Sequence, residues 1–278
     1  GSYASLRDLA QAVPAVQAVT VAEECGRAGV RGLVLLSAGF REVGPEGLDR
    51  ERQLLELCHQ YDMRLLGPNC MGLLDTHAPI NVSFAGQRPL PGNIAFFSQS
   101  GAMCAAILDW SSEHEVGFSR FVSLGNKADL TEADFIADAD DDPETKVILL
   151  YVESITDGAR FLSAARRATT RTPIVVLKAG RSQAGARAAS SHTGALTGQD
   201  RAYDAAFTSS GVIRARSVEE MFDLAMLLAQ QTEPPGDRVA VVTNAGGPGI
   251  IATDYIDQRH LTLAQFAQPT LYALRQGL

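Results

Sequence analysis

Metal-binding and disulfide signatures are missing from this chain. Its four cysteines, Cys25, Cys58, Cys70 and Cys104, form no CxxC pair. In a chain of 278 residues they read as scattered reduced thiols, the pattern expected of a cytoplasmic protein. The five histidines, His59, His77, His114, His192 and His260, lack the HxH or HExxH spacing of a metal site, so no metal is expected. No apolar run approaches the ~20 residues that span a bilayer, and the N-terminus has no signal-peptide pattern. Lys and Arg number 24 against 32 Asp and Glu, a formal net charge of −8, with no basic patch. That balance argues against a nucleic-acid partner, because phosphate neutralisation needs a basic surface.

What the chain does have is an α/β rhythm. Apolar runs of strand length, Gly32 to Ser37, Arg64 to Leu66, Ile94 to Phe97, Arg120 to Ser123, Val147 to Val152, Pro173 to Leu177 and Arg238 to Thr243, alternate with longer amphipathic stretches. Uninterrupted apolar strands between helices predict parallel sheets covered on both faces, with Gly32–Ser37 and Arg238–Thr243 as fully buried strands. Composition breaks fall at Pro89–Gly92 and at Thr232–Gly236. Neither end reads as a complete domain. The helical piece Val19–Ala28 follows no strand with a phosphate-loop signature, and after Gln258 the chain stops soon after opening a new strand-helix unit. A fragment of a larger protein is therefore expected.

One histidine stands apart. His192 lies in Ser190-Ser191-His192-Thr193-Gly194-Ala195-Leu196-Thr197-Gly198, after the equally small-residue segment Ala179 to Ala189. Residues this small bury little, so a surface loop is expected, and its imidazole has chemistry to offer but little packing to do. Such a loop suits a nucleophile that visits two sites.

In doubly wound sheets, ligands bind at strand carboxyl ends, where helix N-termini offer free N–H groups. Four turns qualify: Ser37-Ala38-Gly39-Phe40; Gly67-Pro68-Asn69-Cys70-Met71-Gly72; Ser98-Gln99-Ser100-Gly101; and Asn244-Ala245-Gly246-Gly247. Each alone is compatible with a mere tight turn, since one helix N-terminus contributes only about 0.3–1 kcal/mol toward an exposed anion. Glu153, at the end of the apolar run Val147–Val152, either caps a helix, makes an edge salt bridge, or hydrogen-bonds an imidazole nitrogen, which fixes the tautomer and frees the other nitrogen to attack phosphorus. Lys127 either balances phosphate charge or caps a helix.

Taken together these segments resemble the NDP-forming acyl-CoA synthetases, the relatives of succinyl-CoA synthetase. SAGFxExGxEG at Ser37 to Gly47 and GPNCxG at Gly67 to Gly72 are similar to the family's CoA-binding domain. SQSGA at Ser98 to Ala102, SLGNKADL at Ser123 to Leu130 and YVES at Tyr151 to Ser154 resemble its second, flavodoxin-like domain. SHTGALTG at Ser191 to Gly198 resembles the phosphohistidine loop, and TNAGGPGI at Thr243 to Ile250 the opening of a third domain.

The resemblance implies a partial Rossmann-like CoA-binding domain over 1–88, a flavodoxin-like doubly wound parallel-sheet domain over 89–232, and the start of a second such domain over 233–278. It implies that His192 carries a phosphoryl group and that Glu153 hydrogen-bonds its ring. Ser98, Gln99, Ser100, Gly101 and Lys127 would hold phosphate, and Ser37, Gly39, Phe40, Gly67, Pro68, Asn69 and Gly72 would face CoA or the acyl phosphate. Its cofactors would be CoA or acyl-CoA, and ADP or ATP with Mg on a nucleotide-grasp domain that this chain lacks. Also missing is the Gly-rich strand-loop-helix with which the family's CoA-binding domain begins. The partners implied are acyl-CoA, phosphate and a grasp domain or subunit, in a homodimer or larger assembly. The alternative is the acyl-CoA-sensing region of a GNAT-type protein lysine acetyltransferase, with an acetyltransferase domain as partner; an unreactive CoA-binding scaffold is the third. Retention of His192 with Glu153 and the SQSG turn favours the ligase.

Overall fold

The computed structural model describes residues 13–78, 80–181, 200–231 and 234–277. The chain divides into two compact units between Gln231 and Thr232. In chain order the first carries α1 (Ala15–Arg27), β1 (Gly32–Val34), a 3-10 turn (Arg41–Val43), α2 (Pro45–Gln60), β2 (Arg64–Leu66), β3 (Gly72–Asp75), β4 (Ile80–Ser83) and β5 (Leu90–Ser98). It continues with α3 (Gly101–Glu113), β6 (Gly117–Ser123), α4 (Glu132–Asp140), β7 (Val147–Val152), α5 (Gly158–Ala168), β8 (Ile174–Lys178), α6 (Asp200–Ser209), β9 (Ile213–Ala215) and α7 (Val218–Gln230).

The main sheet runs β4-β3-β6-β5-β7-β8-β9. From β6 to β9 every pairing is parallel, while β3 and β4 join one edge antiparallel. Strand alternation divides its side chains between two cores. Phe97, Ile148, Leu150 and Val176 pack with Ile136 of α4, Phe161 and Ala165 of α5 and Phe207 of α6. Phe96, Leu149 and Val175 pack on the opposite face with Ile107 and Leu108 of α3 and with Met221 and Phe222 of α7. This two-faced burial explains why the central strands read as unbroken apolar runs. A smaller parallel pair, β1 with β2, shares a third core with α1 and α2.

Three strand expectations change. β1 spans three residues and is half-buried, because β2 is its sole strand neighbour among the described residues. The Pro89–Gly92 break falls largely inside β5, where the pairing with β6 shifts register between Pro91 and Ala95. In the second unit, β10 (Arg238–Val239) pairs in parallel with β11 (Thr262–Leu263) across α8 (Gly246–Gln258), and α9 (Gln268–Gly277) follows. Only two residues of the run Arg238–Thr243 find a ladder partner there, and Val242 is exposed.

Candidate functional site

The connections leave β5 and β7 toward opposite faces, α3 to one core and α5 to the other. A crevice at the carboxyl ends of such neighbours is where open α/β sheets bind ligands. Register sets its contents: Ser98 lies abreast of Tyr151 and of Ser123, and Val152 abreast of Lys178. Gln99 and Glu153 therefore leave the sheet side by side, with Lys178 next to them.

The Ser98–Gly101 turn is built by its own side chains. Ser98 Oγ, fully buried, accepts from the Ser100 N–H and donates to the Ser100 carbonyl, both at 3.0 Å. Ser100 caps α3, its Oγ accepting from the Met103 N–H at 3.2 Å. Both hydroxyls thus shape the turn, and an anion would be met by the remaining first-turn amides, which have no intrahelical acceptor.

Next to it, Gln99 is bound to the segment after β7: its Oε1 accepts from the N–H groups of Glu153 (2.9 Å) and Ser154 (3.0 Å), and its Nε2 donates to the Ser154 carbonyl (2.7 Å). Lys127 donates to the same carbonyl at 2.7 Å and to Glu132 at 3.0 Å. Burial lowers the Lys127 pKa against the pull of Glu132. The buried Lys178 ammonium lies 4.6 Å over the Tyr203 ring, and burial lowers its pKa too. Burial pushes the thiols of Cys58 up to about 11 and of Cys70 and Cys104 up to about 12, leaving none of the three a nucleophile near neutrality.

The turns after β1, β2 and β6 interlock. Backbone N–H groups of Asn126 and Ala128 donate to the carbonyls of Pro68 (2.8 Å) and Gly67 (3.0 Å), and the Asn69 N–H donates to the Ser37 carbonyl (3.0 Å). The Asn126 side-chain amide reaches Glu42 (2.6 Å) and Glu51 (3.1 Å), and its oxygen accepts from Asn69 (3.3 Å). Arg41 pairs with Glu51 at 2.6 Å.

The chain shares its architecture with known proteins along nearly its whole length. Residues 91–228 match the succinyl-CoA ligase like flavodoxin domain. The chain is 48% identical over 266 residues to acetate–CoA ligase (ADP-forming) I of Archaeoglobus fulgidus, covering 96% of this chain and 38% of that protein. It is 47% identical over 255 residues to the alpha subunit of acetate–CoA ligase (ADP-forming) II of Pyrococcus furiosus, covering 92% and 55%. The solved dinucleotide forming acetyl-coenzyme A synthetase 1 of Candidatus Korarchaeum cryptofilum, in complex with phosphate and ADP, superposes with a TM-score of 0.89 at 40% identity, covering 95% and 57%.

The chain belongs to the NDP-forming acyl-CoA synthetase family.

These ligase names favour the ligase region over the acyl-CoA sensor of an acetyltransferase. The chain spans roughly two-fifths to just over half of these synthetases. No helix among its described residues is long and apolar enough to cross a membrane, and no group of three His, Cys, Asp or Glu there could hold a metal.

Against the family pattern, the structure brings Ser98, Gln99, Ser100, Gly101, Lys127 and Glu153 together; His192 lies outside the described residues. Of the residues that the resemblance assigns to CoA, Ser37, Gly39, Gly67 and Asn69 share the interlocked turns, with Asn69 exposed and Gly67 and Pro68 buried. Phe40 is fully buried in the third core, so its ring packs against α1 and α2 residues and leaves only loop backbone for a ligand. Gly72 belongs to β3, held between Ser83 and Ser123. Sequence reasoning missed the roles of Glu42 and Asn126, both inside quoted motifs, and Lys178 altogether.

Glu42 carries a pH prediction. Burial alone would raise its carboxyl pKa, but hydrogen bonds from Asn126 and from the Gly39 and Phe40 amides outweigh burial and hold it below 4.5. A group whose folded pKa lies below its unfolded one stabilises the fold above the unfolded value, and that contribution is lost as pH falls through the folded value. Glu42→Gln should therefore flatten the loss of stability below pH 4.5 in urea titrations at stepped pH. An acid slope identical to wild type would remove Glu42 from this account.

Proposed function

We propose that this chain is the CoA-ligase region of an ADP-forming acyl-CoA synthetase and carries its phosphohistidine relay. The observation that carries the reading is the assembly of the α3 N-terminus with Glu153 at the β5–β7 crevice, one strand away from β8, the last described strand before His192 in sequence. In the proposed sequence phosphate attacks the thioester carbonyl of acyl-CoA, the C–S bond breaks, and CoA leaves as the thiol from a bound acyl phosphate. A ring nitrogen of His192 then attacks phosphorus and the carboxylate departs. Glu153 would accept the other ring N–H, holding the tautomer and stabilising the charge that develops on the imidazole. First-turn amides of α3 would take the phosphoryl oxygens; phosphoryl transfer asks mainly for such positioning and charge neutralisation. ADP accepts the group on a nucleotide-grasp domain or subunit, which would also bring the magnesium.

The CoA end would meet the interlocked turns around Asn69 and Gly39. Two of the relatives are named acetate–CoA ligases, so acetate is the acid proposed. Four free cysteines support a reducing, cytoplasmic setting.

The test is phosphorylation of the full-length protein, or of this chain with its grasp partner, by γ-labelled ATP. Acid-labile label is expected in the wild type and none in His192→Asn. A variant labelled like wild type would sink the relay, and no label in either would return the chain to acyl-CoA sensing if acyl-CoA still binds.

A further inference from the structure

The family pattern counts Gln99 with the phosphate residues, yet its side-chain amide is committed to protein. Two N–H groups and one carbonyl of the Glu153–Ser154 segment are satisfied by its one oxygen and one nitrogen. Only a side-chain amide offers acceptor and donor together in that geometry; a carboxylate lacks the donor and an aliphatic chain lacks both. The Ser154 carbonyl takes its second hydrogen bond from Lys127, and the Ile155 N–H is met by the Tyr203 hydroxyl at 3.3 Å. Residues 153–155 follow a strand end, where backbone is ordinarily loose. Here they are tied by side chains from the turn after β5, the turn after β6 and α6.

We propose that Gln99 is a positioning residue: it locks the backbone of residues 153–155 and so fixes where Glu153 presents its carboxylate, without itself touching phosphate. The proposal rests on the roles given above to Glu153 and His192. Misplacing a catalytic group by about 1 Å costs on the order of 100-fold, so the lock has a measurable consequence.

The experiment uses the full-length synthetase, with Gln99→Leu removing all three contacts and Gln99→Glu keeping the acceptor but not the donor. Each is made alone and in a Glu153→Gln background. Gln99→Leu should lower kcat and the rate of phosphoenzyme formation about 10–100-fold while the KM for phosphate stays within about twofold. Gln99→Glu should fall between it and wild type. With Glu153 already replaced, loss of Gln99 should add no more than about twofold, since residues acting through one another are non-additive. Additive losses, or a KM for phosphate that rises as kcat falls, would overturn the proposal in favour of a direct phosphate ligand. Hydrogen exchange at the 153–155 amides separates the two readings. Faster exchange in Gln99→Leu with an unlabelled wild type would retain the lock and discard the relay. Unchanged exchange in a labelled protein would discard the lock.

Discussion

Replacing Lys127 by methionine is expected to destabilise the protein by about 3–5 kcal/mol, the usual consequence of removing one member of a buried ion pair. The side chains of Lys127 and Glu132 are 4% and 2% exposed, so solvent cannot compensate whichever charge remains. Methionine fills the same space but leaves the buried Glu132 carboxylate without its cation and strips the Ser154 carbonyl of one of its two donors. The double variant Lys127→Met/Glu132→Leu removes both charges and should recover most of the loss, because paired deletion avoids the uncompensated charge. Urea denaturation midpoints of the three proteins at neutral pH decide the matter. A single variant as stable as wild type would mean that water reaches Glu132 after all. Activity is a separate readout: recovery of stability without recovery of turnover would show that Lys127 is needed beside Ser154 for more than folding.

How much of this was legible beforehand follows from what each residue signals locally. β7 and β8 were readable because burial on both sheet faces imposes an unbroken apolar run, Val147–Val152 and Ile174–Leu177, on a strand-length window. β3 and β4 were not. The stretch from Gly72 to Ser83 is short, mixed in polarity and interrupted by Pro79, and its pairing is antiparallel at a sheet edge, where neither face demands an apolar run. Lys178 hid for a related reason. One lysine after Ile174-Val175-Val176-Leu177 looks like a strand's exit into solvent, yet it is buried beside Tyr203, whose place in sequence says nothing about β8.

The crevice itself was half legible. Strand-end turns containing Ser, Gly and a lone Glu gave Ser98–Gly101 and Glu153 individually, and the resemblance gave them roles. That Gln99 binds the Glu153 segment depends on β5 and β7 being neighbours, a fact of strand order that no local pattern encodes. The same holds for Asn126 and Glu42, which lie 84 residues apart. Both stand inside motifs quoted from the sequence, and their function there is to join two turns.

Gly125→Ala tests that joint, and it should cost more than the conformational penalty alone. Gly125 has φ +59°, and a Cβ there would stand 2.2 Å from the Pro68 carbonyl oxygen and 2.7 Å from that of Asn69. Gly29, with φ +80° and nothing within 4 Å of its would-be Cβ, supplies the control. Gly29→Ala should lose only the left-handed cost, about 1–2 kcal/mol. At Gly125 the contacts are backbone atoms, which cannot swing aside as a side chain would. The turn can relieve them only by moving away from 67–69, which breaks the bonds from Asn126 and Ala128 to the Pro68 and Gly67 carbonyls. Each such bond is worth about 1 kcal/mol net, and more where a buried carbonyl is left without a donor. We therefore expect Gly125→Ala to be less stable than Gly29→Ala by about 2 kcal/mol or more, measured as the difference in urea midpoints. Because Asn126 carries Asn69 and Glu42 with it on one side, and Lys127 carries Ser154 on the other, the displacement should reach both ends of the site. CoA affinity and phosphoenzyme formation should fall together in this variant. Equal midpoints for the two alanine variants would show that the turns slide past one another freely, and the joint would then be no constraint on the site at all.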